Sequence, residues 1–319
     1  MDFRPSSDQE ALQAGVRSFC EGRVPADALS DLAKRGGFDR SLWSELAELG
    51  VFGLRLPESA GGLGLGCADA VLVFEELGRR LVPGPLVWSH LAAGLVPGAA
   101  DGKVVVGGID ATSEPLLVEH LDALDVLLVL RSDGVFRVDP RALRAQPIEQ
   151  PLDPLTPLHH VRELPRGERI AGADADELRR VGATLSAAQL LGIAIATQEL
   201  ATAYAKQREQ FGRPIGSFQA IKHLLADAFV RQEAARAAVY AAGAILDDPG
   251  AGDVERATHA AKLVAGEAAL RNARTCIQVH GGMGYTWEVP AHFYLKRSWV
   301  LESAFGAGDA HAAGLAERL

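Results

Sequence analysis

Two short segments of the sequence combine residue types that suit the binding of a phosphate. The later segment, Gln278–Tyr285, places three glycines beside a glutamine and a histidine, and the earlier one, Arg208–Gly212, joins an arginine to a Phe-Gly pair. Glycine costs about 1 kcal/mol in a helix interior, but it lets a backbone come close to a bulky polar group. Arginine presents a fork of donors that matches a pyrophosphate. Together the segments predict a site for a phosphate-bearing ligand.

The elements expected to position these segments are long helices. Apolar and small residues recur at helical spacing through most of the chain after residue 173. The predicted helices cover about 185–207, Phe218–Leu246, Asp253–His280 and a stretch from Pro290 towards the end that Gly306 and Gly308 interrupt. Four long antiparallel helices form a bundle, so residues 173–319 are predicted to be a C-terminal four-helix bundle.

The earlier part of the chain predicts an N-terminal helical domain and a small β domain. Helices are expected from Ser7, over Ser41–Leu49 and over Ala68–Leu81, and Leu54–Glu58 is expected to be extended. Short apolar runs between residues 104 and 138, with a hairpin turn at Ser132–Gly134, indicate antiparallel strands. The sequence therefore predicts a mainly α protein with a helical domain at 1–97, a shortened β domain at 98–172 and the bundle at 173–319.

Composition excludes several classes of protein. The 319 residues carry a net charge of −9, which argues against a nucleic-acid partner. The three cysteines (Cys20, Cys67 and Cys276) are widely spaced, which favours a reducing cytoplasm over a disulfide framework. The start Met1–Arg4 shows no apolar signal core, and the most apolar run, Leu185–Ile195, is predicted to be a buried core helix rather than a membrane span. The adjacent His159 and His160 point their rings apart, and no metal site is predicted.

The sequence resembles the acyl-CoA dehydrogenase family over nearly its whole length. The stretches that carry the resemblance are Trp43–Gly50, Leu56–Glu58, Gly61–Gly64, Glu75–Arg79, Tyr204–Gln219 and Gln278–Tyr285. The resemblance implies a helical domain, a β domain and a helix bundle in that order, with FAD as cofactor and an acyl-CoA thioester as substrate. In the family, the last two stretches of one subunit hold the adenosine-diphosphate end of the FAD that lies in the neighbouring subunit. The residues implied for this contact are Arg208, Phe211, Gln219, Gln278, Gly281 and Gly282.

The resemblance is weak at the flavin end of the site. The family's Thr-Glu-Pro loop with its Gly-Ser-Asp, which contacts the flavin ring, has no counterpart between residues 100 and 170, where Asp110–Pro115 is the nearest match. The catalytic Glu-Gly-Thr of the family falls on Phe305–Ala307, so that Phe305 occupies the position of the base. Some relatives carry the base on the first bundle helix, at a position that falls near Gly182. Because the chemistry requires a carboxylate to remove the α-proton, a lone subunit is expected to be inert.

Several functional interpretations remain open at this point. The chain can be a degenerate subunit that resembles those of heterotetrameric α2β2 actinobacterial acyl-CoA dehydrogenases of steroid degradation, with a paralogous subunit as partner. It can be a self-sufficient, homo-oligomeric acyl-CoA dehydrogenase whose base is displaced to Glu302, which lies three residues before Phe305 and is expected on a neighbouring face of the same turn of the last helix. It can also be a structural homologue without flavin, and a flavin monooxygenase is a fourth interpretation. Structural roles also compete at single positions. Gly281 and Gly282 can serve helix packing, His280 can be structural, and Lys296 and Arg297 can be a solvated or interface pair.

Overall fold

The computed structural model of the protein describes residues 5–318, so the start at Met1–Arg4, on which the signal-peptide prediction rests in part, lies outside the described residues. Helices precede and follow a region of strands, as predicted. The helices are α1 (Ser7–Arg23), α2 (Leu29–Lys34), α3 (Arg40–Glu48), α4 (Cys67–Arg79), α5 (Leu86–Ala92), α6 (Ala175–Gln207), α7 (Gln219–Asp247), α8 (Val254–His280), α9 (Ala291–Ser303) and α10 (Gly308–Ala316). The strands are β1 (Val106–Asp110), β2 (Leu117–Glu119), β3 (Val126–Arg131), β4 (Gly134–Val138), β5 (Arg144–Pro147), β6 (Leu158–Glu163), β7 (Glu168–Arg169), β8 (Glu209–Gln210) and β9 (Arg213–Pro214).

The chain divides into two compact units. One contains the residues up to Ser30, Val71–Val82 and the chain from Ala183 onward, and the other contains Asp31–Ala70 and Pro83–Gly182. The first unit holds the helix bundle, in which α8 packs against α7, α9 and α10. The second unit holds the sheets.

Helix α6 is the central core element of the first unit. It is long and apolar enough to cross a membrane, but 89% of its most apolar window is buried inside the protein, and every residue from Val181 to Ile195 is buried. The prediction of a buried core helix at Leu185–Ile195 is therefore confirmed. Glycines permit α4 to cross α6 at close range: a Cβ atom added at Gly78 or at Gly192 would overlap the backbone of the other helix.

Buried polar groups join the helices of the first unit. The Asn272 side chain donates to the carbonyl oxygens of Ala194 (3.1 Å) and Ala228 (2.9 Å), so α8 is linked to both α6 and α7. The carboxylate of Glu75, fully buried on α4, accepts hydrogen bonds from Tyr240 (2.8 Å) and Arg236 (3.3 Å). Burial, only partly offset by Arg236 and Tyr240, raises the pKa of Glu75. Because this carboxylate is bound on several sides within the unit, its role is structural.

The second unit contains two sheets, with the strand orders β1-β3-β4-β7 and β2-β6-β5. The predicted hairpin at Ser132–Gly134 joins β3 and β4. The prediction of a purely antiparallel domain is wrong, because β1 pairs with β3 in parallel, with Val106 opposite Val126. The connection between them is long enough to return the chain in the same direction, as parallel pairing requires. Strands β5 to β7 lie within residues 144–169, where the sequence pattern predicts no strand.

The local structure differs from the sequence predictions at Leu54–Glu58 and at Arg297. Leu54–Leu56 forms turns and Glu58–Ala60 a short 3₁₀ helix, so the expected extended segment is absent from this part of the chain. Ser6 and Gln9 form a reciprocal capping box at the start of α1. The three cysteines are buried, and none of them forms a disulfide within the described residues. The exposed charge expected at Arg297 is buried instead, and its guanidinium donates to the carbonyl of Val82 (3.3 Å).

Candidate cofactor-binding site

A tight hairpin follows the end of α6. Strands β8 and β9 pair in antiparallel fashion, with Gln210 opposite Arg213, so that Phe211 and Gly212 form a two-residue loop. Both loop residues have positive φ angles, +55° and +75°, which is the pattern of a type I′ turn. Glycine takes this conformation without strain, whereas a bulky side chain takes it only at a cost. The result is that the Phe211 ring stands at the tip of the hairpin, 92% exposed to solvent.

The exposed ring belongs to a small stack of planar groups. The Phe211 and Phe218 rings meet edge to face, with 6.1 Å between centroids and 86° between planes. The guanidinium of Arg213 lies 4.2 Å from the centroid of the Phe218 ring, within the range of a cation–π contact. This cluster holds the exposed Phe211 ring at the tip of the hairpin, where the ring can receive another planar group.

Arg208 is fixed through its backbone while its side chain is left free. Its N–H donates to the carbonyl of Tyr204 (2.8 Å), and its own carbonyl accepts from the N–H of Ile215 (2.8 Å). The side chain is exposed, and within residues 5–318 its guanidinium has no hydrogen-bond or ion-pair partner. Most other arginines of the first unit are engaged: Arg17, for example, makes a bidentate pair with Glu76. Arg208 is therefore available to an anion from outside the described chain.

The N-terminus of α7 adds a second group of donors. Gln219 is the first residue of this helix, and its exposed side chain has no hydrogen-bond partner in the described chain. The residue at the N-cap, Phe218, provides no side-chain acceptor for the free N–H groups of the first turn. Because an uncapped helix start carries unsatisfied donors and a partial positive charge, this end of α7 favours an anion.

The segment after α8 contributes an open, glycine-lined turn. Gln278 is exposed, and its carbonyl accepts the N–H of Gly281, whose φ of +61° and ψ of −140° suit glycine alone. A Cβ atom at Gly282 would meet open space, so packing within the described chain does not explain this glycine. Close packing does explain Gly284, because a Cβ atom there would lie 2.8 Å from the carbonyl oxygen of Ile277. The predicted packing role thus fits Gly284 rather than Gly282.

The segments Arg208–Gly212 and Gln278–Tyr285 begin at the ends of two helices, α6 and α8, that contact each other through an aromatic pair. The rings of Tyr204 on α6 and His280 on α8 stack with 4.2 Å between centroids. Arg208 lies one helical turn beyond Tyr204, and Gly281 directly follows His280. His280 is buried and donates from Nδ1 to the carbonyl of Cys276 (2.8 Å), so its geometry is that of a packing residue.

The position of the family's base lies in a turn, not on a helix. Phe305 falls between α9 and α10 and has a φ of +55°, so the expectation that it continues the last helix is wrong. The cause is the change of backbone direction at Phe305 and Gly306, the latter with a φ of +100°. Helical spacing therefore does not relate Glu302 to Phe305. The Glu302 carboxylate instead accepts the N–H of Gly308 (2.7 Å) at the start of α10.

Buried side chains hold this turn in place. Lys262, 2% exposed on α8, donates from Nζ to the carbonyls of Glu302 (2.6 Å) and Gly306 (3.0 Å). Burial, opposed in part by the Glu302 carboxylate, lowers the pKa of Lys262 to about 7. His311 Nε2 lies 3.0 Å from the carbonyl of Phe305, to which it donates. Burial and the nearby Lys262 lower the pKa of His311 to about 4, which keeps its ring neutral at pH 7.

Some of these groups were not predicted from the sequence. Lys262 carries the one available signal, since it lies on the buried stripe of α8 that includes Thr258, Ala265 and Ala269. The stack of Arg213 on Phe218 has no such signal. Asp110, in the segment nearest to the family's flavin loop, is bound by Arg179 (2.8 Å). Although burial alone would raise it, the hydrogen bonds from Arg179 and Thr112 hold the pKa of Asp110 below its usual range.

The arrangement suits binding rather than proton transfer. A free guanidinium, an uncapped helix start, an open glycine turn and an exposed aromatic ring converge on one end of the bundle, where they can hold an anion joined to a planar ring. The Glu302 carboxylate, at the turn between α9 and α10, is engaged by the backbone N–H of Gly308. Residues 5–318 contain no cluster of three or more histidine, cysteine or acidic side chains placed to hold a metal ion.

Comparison with known proteins gives a consistent result. Residues 6–100 match the family model described as the acyl-CoA dehydrogenase N-terminal domain, and residues 179–319 match the one described as the C-terminal domain. The chain is 33% identical to acyl-CoA dehydrogenase IpdE2 of Mycobacterium tuberculosis over 311 residues, which cover 92% of each chain. It is also 33% identical to acyl-CoA dehydrogenase FadE34 of the same organism, of which the match covers 45%.

Solved structures show the same fold. The ChsE4-ChsE5 complex from Mycobacterium tuberculosis superposes with a TM-score of 0.83 at 23% identity, covering 100% of this chain and 98% of that one. A variant of the Tcur3481-Tcur3483 steroid ACAD superposes with a TM-score of 0.83 at 26% identity, covering 97% of both chains. The predicted fold class is thereby confirmed.

Proposed function

Because the chain belongs to the acyl-CoA dehydrogenase family, we propose that it is the FAD-tail-binding subunit of a heteromeric acyl-CoA dehydrogenase. Members of the family are FAD-dependent oxidoreductases that act on CH–CH bonds. In this proposal, the chain binds the adenosine-diphosphate end of an FAD, and a paralogous subunit supplies the flavin bed and the catalytic base. The bound flavin would accept a hydride from the β-carbon of an acyl-CoA thioester.

One observation carries the proposal: the cofactor-tail residues are intact and free, while the base position is filled by a phenylalanine. Arg208 would pair with the pyrophosphate, together with the first N–H groups of α7 beside Gln219. Phe211, exposed at the hairpin tip, suits contact with the adenine ring. Gln278 and the open turn at Gly281–Gly282 leave room for the ligand and for the chain that carries its other half.

The geometry supports a shared site over a self-sufficient one. Glu302, the candidate for a displaced base, is held by the start of α10, and proton abstraction requires a carboxylate that points at the substrate. Two of the structural neighbours are described by pairs of subunit names, one of them as a steroid ACAD. We therefore infer a paralogous partner subunit, a heterotetrameric assembly and a steroid-derived acyl-CoA as the substrate. Three buried cysteines without a disulfide among the described residues favour a reducing compartment such as the cytoplasm.

The proposal is tested by co-expression with each acyl-CoA dehydrogenase subunit encoded beside this chain. The purified complex should show a flavin spectrum, and Arg208→Ala should weaken its FAD affinity by about 100-fold, since a charge-assisted bidentate pair is worth a few kcal/mol. Arg141→Ala is the matched control, because Arg141 is 90% exposed in the other unit. Unchanged FAD content after extensive dialysis of the Arg208→Ala complex would show that Arg208 does not hold the cofactor.

A further inference from the structure

A group of exposed aromatic side chains lies next to the glycine turn, on the α8–α9 side of the bundle. Tyr285 is 74% exposed, Trp287 60% and Trp299 37%. The two other tryptophans of the chain, Trp43 and Trp88, are buried. Large aromatic residues clustered on the surface mark a site of interaction more often than chance placement does. Tyr285, Trp287 and Trp299 are called the aromatic face below.

Two cations lie on the rings of this face. Lys296 Nζ is 5.2 Å from the centroid of Trp287, and the guanidinium carbon of Arg274 is 5.8 Å from that of Trp299. Lys296 and Trp299 are three residues apart on α9 and share one side of the helix. Neither cation forms an ion pair with an acidic group of the described chain. Tryptophan, tyrosine and arginine together are the composition of interface hot spots.

The principal aromatic residue is held in place before any partner arrives. The Trp287 ring packs edge to face on His292 (5.0 Å between centroids) and on Phe293 (5.5 Å), both of which are buried. A side chain that is already ordered loses little rotamer freedom on binding. Trp287 is therefore built as a rigid anchor rather than as a mobile surface residue.

The place of the aromatic face in the chain indicates its occupant. Tyr285 ends the same short 3₁₀ helix that starts at Gly281, and Trp287 follows two residues later. A chain that carries the flavin half of an FAD held at Gly281 and Gly282 must lie directly against this segment. We propose that the aromatic face docks the paralogous flavin-bearing subunit, with Trp287 and Trp299 as its anchors and carboxylates of the partner on Lys296 and Arg274. This inference rests on the proposed function.

The experiment measures assembly and FAD content separately. The probe is the co-expressed paralogous subunit that copurifies with the wild-type chain, titrated against purified variants of this chain. Trp287→Ala and Trp299→Ala should each raise the Kd of assembly by roughly 30-fold or more, the range of interface tryptophans. Arg208→Ala should lose FAD but change the assembly Kd only a few-fold. Leu152→Ala, in the other unit and 49% exposed, is the matched control and should have no effect.

The outcomes separate this inference from the proposed function. Far-UV circular dichroism and thermal melting first establish that the tryptophan variants fold, as their exposure predicts. Wild-type assembly affinity in both tryptophan variants overturns the aromatic face as the docking site. Loss of assembly in Phe229→Ala instead, at the exposed Phe229 of α7 (51%), would move the partner to that helix and also overturn it. Failure of every paralogous subunit to copurify with the wild-type chain overturns the proposed function itself.

Discussion

The end of the bundle near Arg208 and the turn near Phe305 differ in whether their polar groups have hydrogen-bond partners within the described chain. At the first region, the side chains of Arg208, Gln219 and Gln278 have no partner in the described chain, and the start of α7 is uncapped. At the second, the carbonyls of Glu302, Phe305 and Gly306 each accept a hydrogen bond from a buried side chain.

This difference separates a binding region from a structural one. Unsatisfied N–H donors at a helix start are expected where a ligand will accept their hydrogen bonds. A turn whose carbonyls already accept hydrogen bonds from the chain's own side chains needs no ligand. Both regions also contain a phenylalanine at positive φ, Phe211 and Phe305. Only Phe211 is almost fully exposed, so only there does the strained residue present its ring to a possible ligand.

The largest expected effect concerns the internal bonding of the Phe305 turn. Lys262 has a pKa of about 7 in the fold against an ordinary 10.5, so between these values the unfolded chain binds one more proton than the native chain. Its contribution to the free energy of unfolding therefore rises with pH across this window and is lost as the pH falls from 10.5 to about 7, with a full size on the order of a few kcal/mol. Urea unfolding at several pH values should show this slope.

Two lysine variants test whether Lys262 causes this pH dependence of the free energy of unfolding. Lys262→Met should flatten the slope between pH 7 and 10, while Lys34→Met, at an exposed position, should keep it. An unchanged slope in Lys262→Met would show that this lysine stays charged in the fold, and the turn would then be held by a different balance of forces.

Substitutions of two neighbouring glycines, Gly284 and Gly282, should have effects of intermediate size and should distinguish a packing role from a ligand-binding role. Gly284→Ala should lower the free energy of unfolding by roughly 1–3 kcal/mol, because the new methyl group would press on the carbonyl of Ile277. Gly282→Ala should leave stability nearly unchanged, since the added atom meets open space, but it should weaken FAD binding in the complex. Thermal melts and flavin titrations measure the two effects; equal destabilisation by both variants would contradict a ligand role for Gly282.

Replacement of Phe211 at the strained tip of the hairpin should have a smaller effect, which raises the stability of the chain and lowers its affinity for FAD. Phe211→Asn should stabilise the isolated chain by up to about 1 kcal/mol, because asparagine accepts a left-handed backbone more readily. The same variant should bind FAD less tightly in the complex, since the exposed ring is lost. A variant that is less stable than the parent would show that the Phe211 ring supports the fold through Phe218.

The smallest expected effect is on the rate. Glu302→Gln in the assembled complex should leave the dehydrogenation rate within a few-fold, because glutamine keeps an acceptor for the N–H of Gly308. Removal of the partner's base should abolish turnover. A loss of about three orders of magnitude in Glu302→Gln with FAD still bound, the size expected for a general base, would establish the displaced-base alternative.

The long helices could be predicted from the sequence because their periodicity runs over many turns. The prediction located α7 and α8 closely, and it placed the interruption of the last helix at Gly306 and Gly308, between α9 and α10. The parallel pairing of β1 with β3 could not be predicted, since register and direction depend on contacts distant in sequence. The turns at Leu54–Leu56 are set by local backbone geometry that the apolar pattern does not encode.

At the candidate site, residue identities were predictable and their surroundings were not. Arg208 and Gly282 stand out in the sequence, but only the structure shows that the one has no partner and that the other faces open space. The helical relation assumed between Glu302 and Phe305 failed because Phe305 takes a left-handed backbone conformation. The exposure of Trp287 also depends on packing against residues of α9.

Flavin content of the chain with and without its partner tests the central claim most directly. The chain expressed and purified alone should be colourless or nearly so, because it holds the tail end of the cofactor and lacks the loop that contacts the flavin ring. The same chain copurified with its paralogous subunit should show about one FAD per pair of subunits. A stoichiometric flavin spectrum from the chain alone would contradict a shared site.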